Sequence, residues 1–237
     1  MRSLLALLCL PLACLAAEPL AVYYIEKPPY YHTERGEPTG FLLERTRAIF
    51  SDAQIPLRFE ARPAKRILLE MEQNREPICS IGWFRTPQRE AFALFSLAIY
   101  RDEPMTVLTR ATLAEQVASH ASLASLLESP LRLGVVDGFS YGELDALLER
   151  QQPSRITAPP SQNVRMLAAE RIDYTLVDAR ELPYILAEAD LSNAKLSNMR
   201  MPDIPAGQLR YLMCSRRGGA ELMRRLDSSI QRLGLQP

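Results

Sequence analysis

The chain has 237 residues, which is enough for one large domain or for two small lobes with a sizeable core. Its 28 basic side chains balance its 28 acidic ones, so the composition gives no reason to expect binding to nucleic acid or to an anionic membrane surface. The two histidines and four cysteines show no zinc-type spacing, and we therefore expect neither a metal nor a cofactor.

The first 17 residues have the pattern of a secretory signal peptide. A basic start at Arg2 is followed by an apolar run over residues 3–13 and by small side chains up to Ala17. The run is shorter than the roughly 18 residues that a membrane span needs. We expect cleavage near Ala16 or Ala17 and a periplasmic protein. The alternatives are a buried N-terminal helix and a lipid anchor on Cys14, although the residues before Cys14 fit a lipoprotein site poorly.

Short apolar runs alternate with helical patterns over the first half of the remaining chain. The helical segments carry apolar side chains three or four residues apart, and Thr39 and Pro63 suit the starts of helices. The expected strands cover residues 20–25, 57–59, 78–82 and 92–100, and the expected helices cover residues 40–50 and 63–71.

The same alternation continues after Pro104. The expected strands cover residues 105–108, 131–136, a short segment near 156, 174–177 and 209–214, and the expected helices cover residues 123–127, 141–148, 162–169, 180–187 and 220–233. Strands and helices in alternation, with short connections, predict an α/β fold of open, mostly parallel sheets flanked by helices.

Two segments have the composition of linkers, one at residues 102–104 and the other at residues 202–207. If the chain crosses between two lobes at both places, lobe 1 consists of residues 18–103 and 207–237, and lobe 2 of residues 104–206. Two crossings would give such a protein a ready hinge.

Four segments in order resemble the polar amino-acid type, family 3, of the bacterial periplasmic solute-binding proteins, which are the receptors of ABC importers. The resemblance covers nearly the whole chain after residue 17. The segments are Pro28-Pro29-Tyr30 with Gly40-Phe41, Ile81 to Arg89 with Phe95 to Tyr100, Gly134 to Tyr141, and Ala168 to Tyr174 with Val177-Asp178.

This resemblance implies a two-lobed periplasmic-binding-protein type II fold with two hinge crossings. It also implies that the protein clamps a small polar solute, an amino acid or a related carboxylate, and carries out no chemistry on it. The expected partners are this ligand and an inner-membrane ABC permease or a sensor domain, and we expect a monomer that binds no nucleic acid.

On the lobe 1 side, the resemblance assigns the ligand carboxylate to Arg89, with Thr86 in the turn that precedes it. An arginine offers a rigid fork of donors that suits a carboxylate. Spacing alone favours a solvated loop residue beside Glu90, and the resemblance reverses this preference.

On the lobe 2 side, the resemblance assigns the ligand ammonium to Asp178, at the end of an expected strand. Phe139 and Ser140 lie in a turn from strand to helix, where free backbone N–H groups favour an anion. The structural alternative is that Asp178 and Ser140 are plain helix N-caps.

Tyr30, Trp83 and Phe84 are expected to line the lobe 1 side of the cleft, with ordinary core packing as the alternative for Tyr30 and Phe84. Lys27 stands where the family often has an aromatic side chain. Trp83-Phe84 replaces small or hydroxyl-bearing residues, and Arg85 replaces an apolar one. These departures would suit an acidic or larger ligand.

Cys79 and Cys214 remain after the signal peptide, in an oxidising compartment. The resemblance makes their strands neighbours. A bridge would close a long loop and stabilise the fold by about 4–5 kcal/mol in the chain-entropy model. Two separate buried thiols are equally compatible with the sequence.

Two other functions remain open. Some exported dehydratases of aromatic amino-acid synthesis, of the cyclohexadienyl dehydratase type, share the fold and use a cleft carboxylate as a general acid, for which Glu26, Glu44 or Asp178 could serve. Alternatively, the protein senses a solute without a role in transport. No His-rich constellation appears in the sequence, which argues against a nucleophilic hydrolase.

Overall fold

The computed structural model describes residues 18–136, 141–150, 154–156 and 160–237. The predicted signal peptide and the predicted ligand residues Phe139 and Ser140 lie outside these residues. No helix in the described part of the chain has both the length and the apolar character to span a bilayer.

Strands and helices alternate along the described residues, as the sequence predicts. In chain order they are β1 (Leu20–Tyr24), β2 (His32–Glu34), β3 (Glu37–Thr39), α1 (Phe41–Asp52), β4 (Leu57–Ala61), α2 (Ala64–Gln73), β5 (Ile78–Trp83), α3 (Pro87–Glu90), β6 (Ala93–Arg101), β7 (Thr106–Arg110), α4 (Ala114–Ala118), α5 (Leu123–Leu127), β8 (Leu133–Val136), α6 (Asp145–Arg150), β9 (Ser154–Ile156), α7 (Pro160–Ala168), β10 (Tyr174–Val177), α8 (Leu182–Ala189), β11 (Leu196–Met199), β12 (Leu209–Ser215) and α9 (Gly219–Arg232).

The strands form two separate five-stranded sheets and a small hairpin of β2 and β3. The first sheet has the order β4-β1-β5-β12-β6, and the second has the order β11-β7-β10-β8-β9. In the first sheet β1 is parallel to β4 and β5, whereas β12 is antiparallel to β5 and β6. In the second sheet β8 is parallel to β9 and β10, whereas β7 is antiparallel to β10 and β11.

Each sheet buries apolar side chains on both faces. In the first sheet, Val22 and Ile81 face α1 and α9 while Ile78 and Met213 face α2, so a core cluster lies on each side. The second sheet has the same arrangement, with separate clusters around Val135 and around Val164. The predicted α/β architecture with helices on both faces of open sheets is therefore confirmed, but the sheets are not mostly parallel, because each has two parallel and two antiparallel strand pairs. The antiparallel pairs involve β7 and β12, the strands that the chain enters after passing between the sheets.

The chain passes between the two sheets twice, through residues 102–105 and 200–208, and the two passages touch. The Asp102 backbone N–H donates to the Gln208 carbonyl at 2.9 Å. A Cβ atom on Gly207 would lie only 1.9 Å from the Asp102 carbonyl oxygen. This contact therefore requires glycine at position 207, because any side chain would force the two passages apart.

Cys79 and Cys214 lie opposite each other on the neighbouring strands β5 and β12 and are joined by a disulfide, with a Cα–Cα distance of 4.0 Å. The bond links residues 135 positions apart. It ties the last strand of the first sheet to a strand from the first half of the chain.

Asp173 joins three segments of the second sheet through its carboxylate. One oxygen accepts from the backbone N–H and the Nε of Arg132, both at 2.9 Å, and the other accepts from Nη2 of Arg132 and of Arg110, also at 2.9 Å. The hydrogen bonds from Arg132, reinforced by Arg110, hold the pKa of Asp173 well below its ordinary value. Asp173 is thus a structural residue at the start of β10.

Replacing Asp173 with Asn should lower the free energy of unfolding at pH 7 by about 2 kcal/mol or more, because the half-buried Arg110 loses its charged acceptor. The folded-state pKa is depressed, so this stabilisation is complete above about pH 5 and is lost as the pH falls through the ordinary Asp pKa of about 3.9 and below. Thermal unfolding followed by circular dichroism at pH 7 and at pH 3 should therefore give a melting-temperature difference between wild type and Asp173→Asn that shrinks at the lower pH.

The matched control is Asp190→Asn. Asp190 is exposed at the left-handed C-cap of α8, a conformation that Asn adopts equally well. It should leave the melting temperature nearly unchanged at both pH values. An equal loss of stability in Asp173→Asn at pH 7 and pH 3 would contradict the electrostatic role given to Asp173.

Candidate functional site

A cavity of about 80 Å³ is lined by residues from both sheets and from the passages between them. This volume has room for several water molecules. The charged side chains that line it are Lys27, Asp102, Asp178, Glu181 and Arg210. The rest of its wall is mostly apolar, which is the usual composition of a small-molecule site.

Two contacts close the cavity between the sheets. Lys27, in the loop after β1, makes an ion pair with Glu181, which precedes α8. Tyr30, in the same loop, donates its hydroxyl hydrogen bond to the carboxylate of Asp178, which directly follows β10. All four side chains come from the segments that follow β1 and β10, so the two sheets face each other here at the carboxyl ends of these strands.

Arg180, next to these residues, adds a third contact between the two parts of the chain. Its guanidinium carbon lies 5.7 Å from the ring centre of Phe41 and 5.8 Å from that of Tyr100. Its Nε donates to the carboxylate of Glu103, in the first passage, at 3.0 Å. The segment around the start of α8 is therefore held against the first sheet by charged and aromatic side chains together.

The floor of the cavity is a buried ion pair between the first passage and the start of β12. Arg210 is only 6% exposed, and its Nε and Nη2 bind the two carboxylate oxygens of Asp102 at 2.5 and 2.7 Å. Its Nη1 donates to the Gly82 carbonyl at 2.8 Å. The guanidinium carbon lies 4.9 Å from the ring centre of Tyr30 and 4.8 Å from that of Phe84. This geometry leaves Arg210 little freedom to move.

Burial governs the protonation of these groups. Burial raises the pKa of Glu181 above its ordinary value although Lys27 opposes the shift, and it raises the pKa of Asp102 although Arg210 opposes it. Burial by itself would lower the pKa of Arg210, but Tyr31 and Asp102 hold it above the ordinary value. Arg210 therefore stays charged at any pH at which the protein is folded.

The charges that line the cavity do not balance. Lys27 is paired with Glu181 and Arg210 with Asp102, whereas Asp178 is bonded to the neutral Tyr30 hydroxyl. Among the described lining residues there are thus three carboxylates for two cations. The site is able to accept a cationic group next to Asp178.

Arg89 lies in a second, more open cavity of about 550 Å³ that shares Phe84 as a wall with the first. Thr86 also lines it and caps α3, accepting a hydrogen bond from the Arg89 backbone N–H at 3.3 Å. The Arg89 guanidinium covers the Trp83 ring at 4.8 Å and donates to the Phe84 carbonyl at 2.8 Å. It makes no ion pair with any carboxylate in the described part of the chain.

The model of one protein family, the bacterial extracellular solute-binding proteins, family 3, matches residues 21–234, which is most of the chain. This chain belongs to that family. The resemblance expected from the sequence is thereby confirmed. A sequence search of curated proteins finds no match.

Solved structures of similar fold cover nearly the whole of this family 3 chain. The arginine-, lysine-, histidine-binding protein ArtJ from Geobacillus stearothermophilus has a TM-score of 0.69 and 14% identity, covering 91% of this chain and 89% of its own. An ancestral arginine-binding protein bound to arginine has a TM-score of 0.68 and 17% identity, with coverage of 91% and 92%. A histidine kinase sensor domain with similarity to periplasmic binding proteins has a TM-score of 0.66 and 21% identity, with coverage of 92% of each chain. At these identities the likeness shows the fold.

In this family 3 protein the predicted site residues other than Trp83 fall into three groups. Lys27, Phe84 and Asp178 line the smaller cavity, and Tyr30 reaches it through its bond to Asp178. Arg89 and Thr86 line the neighbouring larger cavity, while Phe139 and Ser140 lie outside the described residues.

Trp83 is placed differently from the predicted cleft wall. It is 8% exposed, packs with Ile78 and Met71, and donates its indole N–H to Ser80 at 2.7 Å. The register of β5 and β12 shifts at this point, which puts Trp83 on the same face of the sheet as Ile78. Its ring supports Arg89 from within the core.

Sequence reasoning missed Asp102, Glu181, Arg210 and Asn163, which all line the smaller cavity. Glu181 could have been found, since it follows Asp178 by three residues at the start of a helix. Arg210 and Asp102 are 108 residues apart, and nothing local marks them as partners. Of the carboxylates considered for a general acid, Glu26 and Glu44 are exposed, and Glu26 is bonded to Thr33.

Replacing Arg210 with Met should lower the free energy of unfolding by about 3–5 kcal/mol, because it leaves the Asp102 carboxylate buried without its cation. Asp102→Leu should cost a similar amount. The double variant Arg210→Met, Asp102→Leu should lose less than the sum of the two single losses, since it removes both charges together. Urea unfolding of the four proteins measures these differences, and additive losses would show that the pair is not energetically coupled.

Proposed function

We propose that this protein captures a small polar solute, an amino acid or a related carboxylate, between two lobes, residues 18–103 with 207–237 and residues 104–206, and delivers it to an ABC importer. In this proposal the protein is a periplasmic monomer that performs no chemistry. The observation that carries it is the charged cavity lined by both sheets, across which Lys27 meets Glu181 and Tyr30 meets Asp178.

Asp178 is the group proposed to bind the ligand ammonium. It is buried, and one oxygen accepts the Tyr30 hydroxyl while the other accepts the Arg180 backbone N–H at 2.9 Å. A carboxylate has acceptor capacity beyond these two bonds. Because its present side-chain donor is neutral, a ligand ammonium would supply the positive charge that Asp178 lacks.

Arg89 is the group proposed to bind the ligand carboxylate. Within the described residues its guanidinium has the Phe84 carbonyl as its hydrogen-bond acceptor and no carboxylate partner. Burial lowers its pKa, which means that a nearby negative charge would be favourable. In this proposal a ligand lies along Phe84, the wall that both cavities share, with its two charged ends toward Asp178 and Arg89.

Ligand binding then acts on a hinge. A ligand held from both sides favours the closed arrangement by the contacts it makes only there, and only this difference shifts the population. Lys27 and Tyr30 already make such contacts, so ligand binding adds to or replaces bonds within the protein. The closed surface is the form that a permease, or a sensor domain, would recognise.

The test is a thermal-shift screen of the purified protein against the amino acids, dicarboxylates and oligoamines, followed by calorimetric titration of each hit. A ligand at 100 times its dissociation constant should add about 2.7 kcal/mol to the free energy of unfolding. Asp178→Asn and Arg89→Ala should each weaken binding of the hit by about tenfold or more, because each removes one charge-assisted bond.

Glu44→Gln is the matched control, because Glu44 is exposed on α1 and outside both cavities. It should bind the hit with wild-type affinity. Normal binding by Arg89→Ala would withdraw the carboxylate role of Arg89. Absence of any ligand in the panel, or conversion of a hit into a new compound during incubation, would contradict the proposed function.

A further inference from the structure

The Lys27 ammonium lies in a cation site to which both sheets contribute. It pairs with the carboxylate of Glu181, which precedes α8, and it also lies 5.3 Å from the ring centre of Tyr30. A carboxylate attracts an alkylammonium group by its charge, and an aromatic ring attracts it by its quadrupole. The cation that fills this site is part of the chain itself.

The backbone around Lys27 fixes the point from which its side chain starts. The Lys27 N–H donates to the Tyr31 carbonyl at 2.8 Å, and the Lys27 carbonyl accepts from the N–H groups of Tyr30 and Tyr31 at 2.9 and 3.2 Å. Both tyrosines are buried and belong to the core of the first sheet. The Lys27 side chain therefore extends to Glu181 from a turn that is anchored in this core.

The position of Glu181 makes contact between the two sheets dependent on a cation. Glu181 belongs to the second sheet and is 154 positions from Lys27, so the two meet only while the sheets are close together. Bringing the sheets together withdraws the Glu181 carboxylate from water, and a buried carboxylate without a partner is strongly unfavourable. Lys27 provides the compensating charge from the opposite sheet.

The other cations near Glu181 are bound elsewhere. Arg210, the second cation that lines the cavity, holds both carboxylate oxygens of Asp102. Arg180 precedes Glu181 in the chain, but its guanidinium lies against two aromatic rings and donates to a carboxylate of the first passage at 3.0 Å. Within the described residues, Glu181 thus has Lys27 as its ion-pair partner.

We propose that Lys27 is a tethered ligand of this protein. Its ammonium fills a site for a primary alkylammonium group, formed by Glu181 and Tyr30, and thereby allows the two sheets to close without a cation from solution. The inference rests on the proposed function in one respect, because it needs two lobes that move about a hinge. It adds that the solute-free protein is mostly closed, so a solute adds to a closed form that the chain already supports.

Chemical rescue tests the cation site. Lys27→Ala removes the part of the side chain beyond Cβ, which n-propylammonium replaces atom for atom. The melting temperature of this variant should rise by about 3 °C or more in n-propylammonium chloride at about ten times its dissociation constant, relative to sodium chloride of equal ionic strength. The wild type should show no such rise, and neither should the variant in 1-propanol, which has a similar shape but no charge.

Three further variants serve as controls. Lys27→Met keeps a long side chain without the charge, so it fills the site and should not respond to n-propylammonium. Glu181→Gln, added to Lys27→Ala, removes the carboxylate and should abolish the response. Lys65→Ala removes an exposed lysine of α2 that lines neither cavity, and it should behave like the wild type. Lys27→Ser leaves similar space and replaces Lys27→Ala if that variant does not fold.

Small-angle X-ray scattering measures closure independently of stability. Solute-free Lys27→Ala and Lys27→Met should have a larger radius of gyration than the wild type, and n-propylammonium should restore the wild-type value in Lys27→Ala alone. A merely structural role of Lys27 would lower the melting temperature without this restoration.

The outcomes for this inference and for the proposed function are separable. If Lys27→Ala does not respond to n-propylammonium, or if it has the wild-type radius of gyration, the inference is wrong and the proposed function stands. If a bound solute contracts the wild type as much as n-propylammonium contracts Lys27→Ala, the inference is also wrong. If n-propylammonium rescues Lys27→Ala but the wild type binds no solute of the panel, the inference holds and the proposed function fails.

Discussion

The arrangement of this molecule depends on the buried ion pair between Asp102 and Arg210. Asp102 lies in the first passage of the chain between the sheets, and Arg210 lies in β12 directly after the second passage, so their bidentate contact fixes the two passages against each other. Gly207 allows the passages to touch, and the rings of Tyr30 and Phe84 hold the guanidinium from both sides. Burying two charges costs desolvation free energy, so the ion pair contributes a defined geometry more than added stability. The cavity floor exists because this pair exists.

The contacts above that floor are all made by the protein's own side chains. The carboxylate that family resemblance gives to the ligand ammonium already has a tyrosine hydroxyl, and the glutamate three residues later already has a lysine. A ligand therefore enters a site whose charges are mostly satisfied. Its affinity is the difference between new bonds and those it replaces, which favours ligands that match the remaining carboxylate charge.

Most of the fold follows from local patterns in the sequence. Strand β10 coincides with the expected residues 174–177, and β5 and α9 lie within a residue or two of their expected bounds. The hairpin of β2 and β3 and the strand β11 were not expected, because their short, largely polar segments lack an apolar alternation.

The site was harder to predict from the sequence than the fold, and the reason differs from residue to residue. Asp178 and Lys27 were found through motifs at the ends of strands. Trp83 was assigned to the cleft, but a shift in strand register, which single-sequence periodicity does not reveal, turns it into the core. Arg210 could not be assigned from local sequence, because its partner is the Asp102 carboxylate, 108 residues away.

The ion pair between Lys27 and Glu181 also determines how the site responds to dissolved cations. The Lys27 ammonium is held next to Glu181 by the folded chain, although the two residues are 154 positions apart, and the side chains of the pair are only 18% and 11% exposed. Sodium, potassium or free amines would have to displace a tethered cation that never diffuses away. Partly buried ion pairs are screened by salt much less than exposed ones, so changes in the ionic composition of the solution should leave Glu181 with the same partner.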